Sequence, residues 1–305
     1  DKVFPSVVMQ INAVPVHIFF FLAGYFCFGK TDKQLWKRIV HFIALYVVAN
    51  VFYLIVCCIV SKSTPISYLK GLYSSQGFKK FFLNLFAFNT FLPSQLGGHL
   101  WYLSAFIVAM IALIIVRRKF LLPISITLYL IGVVLSRIIF PIKNITVSAY
   151  CLRNGIFEAV PMVFLGYYLH SIKDKTQRIY QRKALFFSVS AIILVVSYII
   201  LTVIYKKFNV CTDLAILNVV IVLTLFFLFA YPAKEKDNNI ALNLFAFIGA
   251  KLTLYIYIIH PLFIEVFSKV SSGFMVTLFA FLASLAVSYL YYELKITFKD
   301  LLNKK

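Results

Sequence analysis

The chain has 305 residues, of which 62% are hydrophobic and only 13% charged, with a formal net charge of +20. One water-soluble core cannot bury that much apolar surface, which excludes an ordinary cytosolic globule. The basic residues are scattered over short stretches between apolar runs and form no groove or recognition helix, which excludes a nucleic-acid binder.

An apolar run of about 17 to 25 residues, rising ~1.5 Å per residue, crosses a hydrocarbon layer of ~30 Å. Nine candidates follow one another, at 14–28, 39–60, 100–116, 120–140, 156–169, 184–205, 214–231, 244–264 and 274–292, the first and fifth being short. The expected fold is an all-α polytopic transmembrane bundle forming a single membrane domain over 1–305. The long connection at 61–98 contains FKKFFLNLFAFNTFLP, with Phe81, Phe82, Leu85 and Phe86 on one helical face behind Lys79 and Lys80. It reads as an interfacial or re-entrant helix.

Cytoplasmic loops carry the excess of Lys and Arg. The richer side takes Lys30, Lys33, Lys37 and Arg38, then Arg117 to Lys119, the cations from Lys173 to Lys183, then Lys234, Lys236, Lys251 and the tail. That side is read as the cytoplasm, with the C-terminus on it and the 61–98 loop outside. Nine spans then leave Asp1 outside. Residue 1 is not Met and no signal peptide precedes it, so an upstream span, ten in all, is expected in the complete protein.

The stretch GYFCFGKT at 24–31 has the glycine, lysine and threonine spacing of a nucleotide-binding P-loop. A P-loop joins a strand to a helix and wraps phosphate with small, backbone-exposing residues. Here the intervening residues are Tyr25, Phe26, Cys27 and Phe28, at the end of an apolar helix. The match reads as coincidence and Lys30 as an interfacial cation.

Ionisable groups inside a membrane are costly and mark functional sites by default. His99 and Trp101 stand at the outer mouth of the third run, behind Gly97 and Gly98, whose missing side chains let another backbone come close. They read either as an interfacial anchor or as the wall of an acceptor pocket. Arg153, Asn154 and Glu158 share the outer end of the fifth run. Glu158 needs a partner such as Arg137 or a histidine, because a lone carboxylate near hydrocarbon must pair or become neutral. Tyr257 and His260 are neighbours on one face of the eighth run. His17, two residues after Pro15, lines a tunnel entry at most, and His41 reads as interface. Cys27, Cys57, Cys58, Cys151 and Cys211 show no metal-binding spacing, so no metal is expected. Cys151 and Cys211 both fall near the outer face, where a disulfide is open, and 144–146 is a glycosylation sequon.

Four stretches, in order, resemble the family-3 integral membrane acyltransferases, which include polysaccharide and peptidoglycan O-acetyltransferases. They are FFFLAGYF at 19–26, HLWYLSA at 99–105, RNGIFEAVPMVFLGYYL at 153–169 and AKLTLYIYIIHPL at 250–262, spread over nearly the whole chain. The resemblance implies transfer of an acyl group, acetyl by preference for a narrow Phe-lined passage, from a cytoplasmic thioester such as acetyl-coenzyme A. No cofactor is bound. The implied acceptor is a hydroxyl on a cell-surface or lipid-linked glycan, and the implied location the plasma membrane, among lipids. The family's catalytic His lies on the first transmembrane helix, upstream of residue 1, so this chain alone is expected to be inactive.

On that reading His99, Trp101, Arg153, Glu158, Tyr257 and His260 belong to the acceptor side. Lys30, Lys37 and Arg38, at the cytoplasmic end, are placed to meet the donor's phosphates. The alternative is a transporter or flippase-like domain, which should show broken helices in both halves with inverted-repeat symmetry. Pro15, Pro161 and Pro261 occur without such symmetry.

Overall fold

A computed structural model describes residues 3–74, 96–116, 118–135, 154–177, 189, 190, 192, 193, 196, 216–229 and 240–303. The interfacial or re-entrant segment at 78–93, Arg137, the 144–146 sequon, Arg153, Cys151, Cys211 and most of the sixth expected span lie outside the described residues. Among the described residues there are helices and no strands. In hydrocarbon a helix satisfies its own backbone, so an apolar chain of this composition has little other choice.

The helices are α1 (Val3–Tyr25), α2 (Asp32–Ser61), α3 (Pro65–Ser74), α4 (Trp101–Ile115), α5 (Leu121–Val134), α6 (Val160–Ser171), α7 (Lys173–Gln177), α8 (Ile216–Phe229), α9 (Ile240–Phe247), α10 (Thr253–Phe267) and α11 (Phe274–Asn303). A 3₁₀ turn at Gly98–Leu100 leads into α4, and π-helical turns at Gly155–Ala159 and Ile248–Leu252 lead into α6 and α10. Four helical stretches are long and apolar enough to cross a membrane, Asp32–Ser61, Gly98–Ile115, Asn243–Phe267 and Phe274–Phe298. The other expected spans that fall on described residues are shorter apolar helices, and the count of nine rests on the sequence alone. α1 differs most from expectation, since it begins at Val3 and ends at Tyr25, whereas the apolar run is 14–28. Ser6, Gln10 and Asn12 lower the hydropathy without preventing backbone hydrogen bonds, and Gly29, at φ +76°, turns the chain after the helix.

The chain divides into two compact units. The first comprises Asp1–Asn50, Thr64–Phe91 and Leu100–Pro232; the second comprises Val51–Ser63, Leu92–His99 and Ala233–Lys305. In the first unit, Phe20, Phe21, Leu103, Ala105, Met110, Val163 and Phe164 are buried, while α2 and α11 leave Val47, Val48, Ile55, Phe281 and Leu290 exposed. Rows of exposed apolar side chains on long helices are the faces that lipid covers.

The most extensive packing in the first unit is α1 on α6, and two glycines permit it. A methyl group at Gly24 would stand 1.9 Å from the Val163 carbonyl oxygen, and one at Gly166 would stand 1.9 Å from the Phe21 carbonyl oxygen. Each glycine therefore lies directly against the other helix's backbone, the small-residue contact on which helix pairs in membranes rely. Phe226 of α8 then closes over Phe21 and Tyr25, with ring centroids 4.9 Å away in each case.

Gly24→Ala and Gly166→Ala are each expected to destabilise the detergent-solubilised protein by about 2 kcal/mol, read as a lowered thermal midpoint. Gly249→Ala, with nothing within 4 Å of the added carbon, should change it little. Equal midpoints for all three would contradict the close α1–α6 contact.

Candidate functional site

Two polar constellations are built into the helices, one in each unit. The first begins at Asn154, whose extended backbone precedes the π turn and whose Oδ1 accepts from the amides of Ile156 (2.9 Å) and Phe157 (3.0 Å). This is N-capping, which supplies acceptors for the orphan amides of a helix start. The Asn154 carbonyl then accepts from both Glu158 (3.2 Å) and Ala159 (3.3 Å), so the first turn is wider than an α turn. Pro161 follows at the start of α6, where its missing N–H costs no helical bond, and its carbonyl accepts from Ser125 Oγ at 2.8 Å.

The π turn sets Glu158 inward, and the carboxylate meets His17 of α1. His17 Nδ1 lies 3.6 Å from Glu158 Oε1, with the two side chains 0% and 1% exposed. Tyr129 of α5 presents its ring edge-on to His17, centroids 6.4 Å apart. The sequence requires a partner for Glu158 and admits a histidine, and the structure supplies His17, which the sequence places at a tunnel entry at most. Its only sequence signal is an imidazole within an otherwise apolar helix. Trp101 packs its indole on Phe20, at 6.1 Å between centroids.

The second constellation gathers on α10 around Pro261. Proline inside a helix removes the amide that would bond the carbonyl four residues earlier, which here belongs to Tyr257. His260 Nδ1 reaches that carbonyl at 2.8 Å. The next carbonyl, Ile258, is approached by His99 Nε2 at 3.1 Å and accepts from the Tyr53 hydroxyl. The Tyr257 hydroxyl donates in turn to the His99 carbonyl. Ring centroids of His99 lie 5.1 Å from Tyr53, 5.4 Å from Tyr257 and 5.7 Å from His260. His99, Tyr257 and His260 are thus brought together, whereas Trp101 and Glu158 belong to the first unit. Tyr53, fully buried on α2, is a member that the apolar run NVFYLIV conceals.

The chain around GYFCFGKT is a helix end and a helix start. The amides of Cys27, Phe28 and Lys30 donate to the carbonyls of Gly24, Tyr25 and Cys27, so these three do not cradle a phosphate. Thr31 and Gln34 form a reciprocal capping box at the start of α2, Gln34 N to Thr31 Oγ1 at 3.3 Å and Thr31 N to Gln34 Oε1 at 3.1 Å. Of the donor-side cations, Lys37 is exposed, Lys30 and Arg38 are half-buried, and Arg38 Nη1 donates to Cys27 Sγ at 3.6 Å. His170, which the sequence does not single out, closes the same end of α1: its Nδ1 meets the Tyr25 carbonyl at 2.8 Å, and its ring stacks on Phe28 at 4.7 Å.

A sequence profile described as an acyltransferase domain matches residues 4–293. The chain belongs to the family-3 acyltransferases. No curated protein and no solved structure matches it. Membership joins the four stretches to one activity class, acyl transfer within the membrane. The two constellations bring imidazole, carboxylate and phenol groups together among apolar helices of this acyltransferase.

Removing one partner of a buried imidazole–carboxylate pair costs more than removing both, because the remaining group loses its counterpart in an apolar setting. Glu158→Ala and His17→Phe should each destabilise the protein by about 3 kcal/mol, and the His17→Phe, Glu158→Leu double variant by less than the sum. A double-mutant cycle from unfolding in detergent checks this. Strict additivity would show that the two side chains do not interact.

Proposed function

We propose that the protein transfers an acyl group, acetyl by class, from a cytoplasmic thioester of the acetyl-coenzyme A type to a hydroxyl of a cell-surface or lipid-linked glycan. The plasma membrane holds it, with the C-terminus in the cytoplasm. The profile match over residues 4–293 carries this reading and favours it over transport. The polar constellations support it, since a passive bundle has no need of histidines and a carboxylate in its apolar interior.

The roles divide by chemistry. His99, Tyr257 and His260 can align an acceptor hydroxyl and handle its proton. Glu158, paired with His17, is an acid–base group of the first unit, and Trp101 and Arg153 complete the acceptor-side assignment. Lys30, Lys37 and Arg38 suit the phosphates of the donor by charge alone.

The full-length protein in proteoliposomes, given radiolabelled acetyl-coenzyme A and a glycan extract of the host envelope, should move label into alkali-labile ester. Lys30→Ala should raise the apparent donor KM by about tenfold while saturated turnover stays near normal. No label in any hydroxyl acceptor contradicts the function, and an unchanged KM reduces Lys30 to a membrane anchor.

A further inference from the structure

We infer that the end of α11 beside Tyr255 of α10 binds the phosphate headgroup of an acidic phospholipid, with Lys295 and the Tyr255 hydroxyl as its donors. The site uses none of the side chains of the two constellations and stands independently of the acyl-transfer reading.

In the second unit α10 packs along α11. The buried line of α11 runs through Val276, Ala280, Ser284 and Ser288, each about one turn from the last, and Lys295 follows on the same face two turns after Ser288. Apolar packing there gives way to a cation. Lys295 Nζ donates to the Tyr255 hydroxyl at 3.1 Å and stands 5.8 Å from the centre of that ring. Tyr291, one turn before Lys295, packs its ring on Tyr255 with centroids 4.8 Å apart. Lys295 is exposed and Tyr255 half-buried.

No carboxylate neutralises this cation among the described residues, whose ion pairs are His17 with Glu158 and Lys269 with Glu265. Glu293 and Asp300, the acids nearest to it on α11, fall on other faces, about 160° and 140° round the helix. Lys251, exposed in the π turn four residues before Tyr255, and Lys299, one turn after Lys295, add to the positive charge. An ammonium has donors only, and a phenol whose oxygen accepts from Lys295 still has its own O–H to give. Donors with surplus positive charge are the complement of a phosphate, and the surplus favours a headgroup without an amine of its own.

Depth selects the source of the phosphate. About 20 helical residues cross the hydrocarbon layer, so α11, starting at Phe274, reaches the far border at the level of Leu294. Lys295 then stands in the headgroup layer, next to Tyr289, Tyr291 and Tyr292, residues suited to that interface. Leu290, Leu294 and Phe298 beside it are exposed. A phospholipid covers both parts of this surface, acyl chains on the apolar row and phosphate on the donors. A soluble phosphate compound, the thioester donor included, leaves the apolar row bare.

The test titrates the detergent-solubilised full-length protein with acyl-chain-labelled phosphatidylglycerol and, separately, phosphatidylcholine, read by fluorescence anisotropy. Phosphatidylglycerol should bind about tenfold more tightly. Lys295→Gln should weaken its binding about tenfold and Tyr255→Phe, which keeps the ring, several-fold. Lys269→Gln, at the other end of α10, should change nothing. Equal binding of the two lipids, or wild-type affinity in Lys295→Gln, overturns the site. An effect of Lys269→Gln as large as that of Lys295→Gln also overturns it, because general attraction to charge then accounts for the binding. Displacement of the labelled lipid by acetyl-coenzyme A assigns the donors to the thioester and overturns the lipid. Should Lys295→Gln fail to fold, the comparison of the two lipids on the wild-type protein decides.

Discussion

Hydrocarbon offers no water to a backbone group that lacks a partner, so each break in a helix must be repaired by the protein itself. In this chain several of the repairs are made by polar side chains, histidines among them. Pro261 has no amide to give the Tyr257 carbonyl, and His260 Nδ1 reaches it. Ile258, one residue on, collects His99 and Tyr53. In the other unit the helix start at Gly155–Ala159 is repaired by Asn154, and the wider turn places Glu158 opposite His17. At the end of α1 His170 reaches the Tyr25 carbonyl beside the Phe28 amide. Single π turns inside helices often mark functional sites, and here one leads into each polar constellation.

The glycine contact supplies the accuracy these repairs need in the first unit. With Gly24 and Gly166 set against opposing backbones, α1 and α6 have essentially one depth of approach, and a side chain at either position would force them apart. His17 lies two turns before Gly24 on α1, and Glu158 lies two turns before Gly166 on the segment leading into α6. The same crossing therefore fixes the pair. A buried pair of this kind is a poor source of stability, because desolvation offsets most of the attraction. Its value here is selection of one arrangement of α1 against the Glu158 turn.

Much of this was legible in the sequence. Composition and run length gave an all-helical membrane protein, the spacing of Tyr257 and His260 put them on one face, and the position of Glu158 demanded a partner that includes histidine among its options. Other features left little trace. Helices apolar all round have no moment to show which face meets which neighbour, so Tyr53 could not be told from the apolar residues beside it. The α1 start was missed because hydropathy reports the lipid-facing window, whereas hydrogen bonding carries the helix through Ser6, Gln10 and Asn12. A π turn has no simple sequence rule, and the partnership of His17 with Glu158 depends on two glycines far apart in the chain. The likeness of GYFCFGKT to a P-loop shows the converse hazard, a spacing in which the amides of Cys27, Phe28 and Lys30 are spent on carbonyls of the same turn.

The account of the second unit turns on the contact of His260 Nδ1 with the Tyr257 carbonyl beside Pro261. Nitrogen-15 NMR of the protein labelled only at histidine reads the tautomer of each ring, and with 5 histidines in the chain the His260→Asn spectrum assigns the signal by its loss. The account predicts that His260 carries its proton on Nδ1, with Nε2 giving the shift of an unprotonated ring nitrogen, and that Pro261→Ala shifts the balance towards the Nε2 proton. A wild-type His260 protonated on Nε2, unaffected by Pro261→Ala, would contradict it.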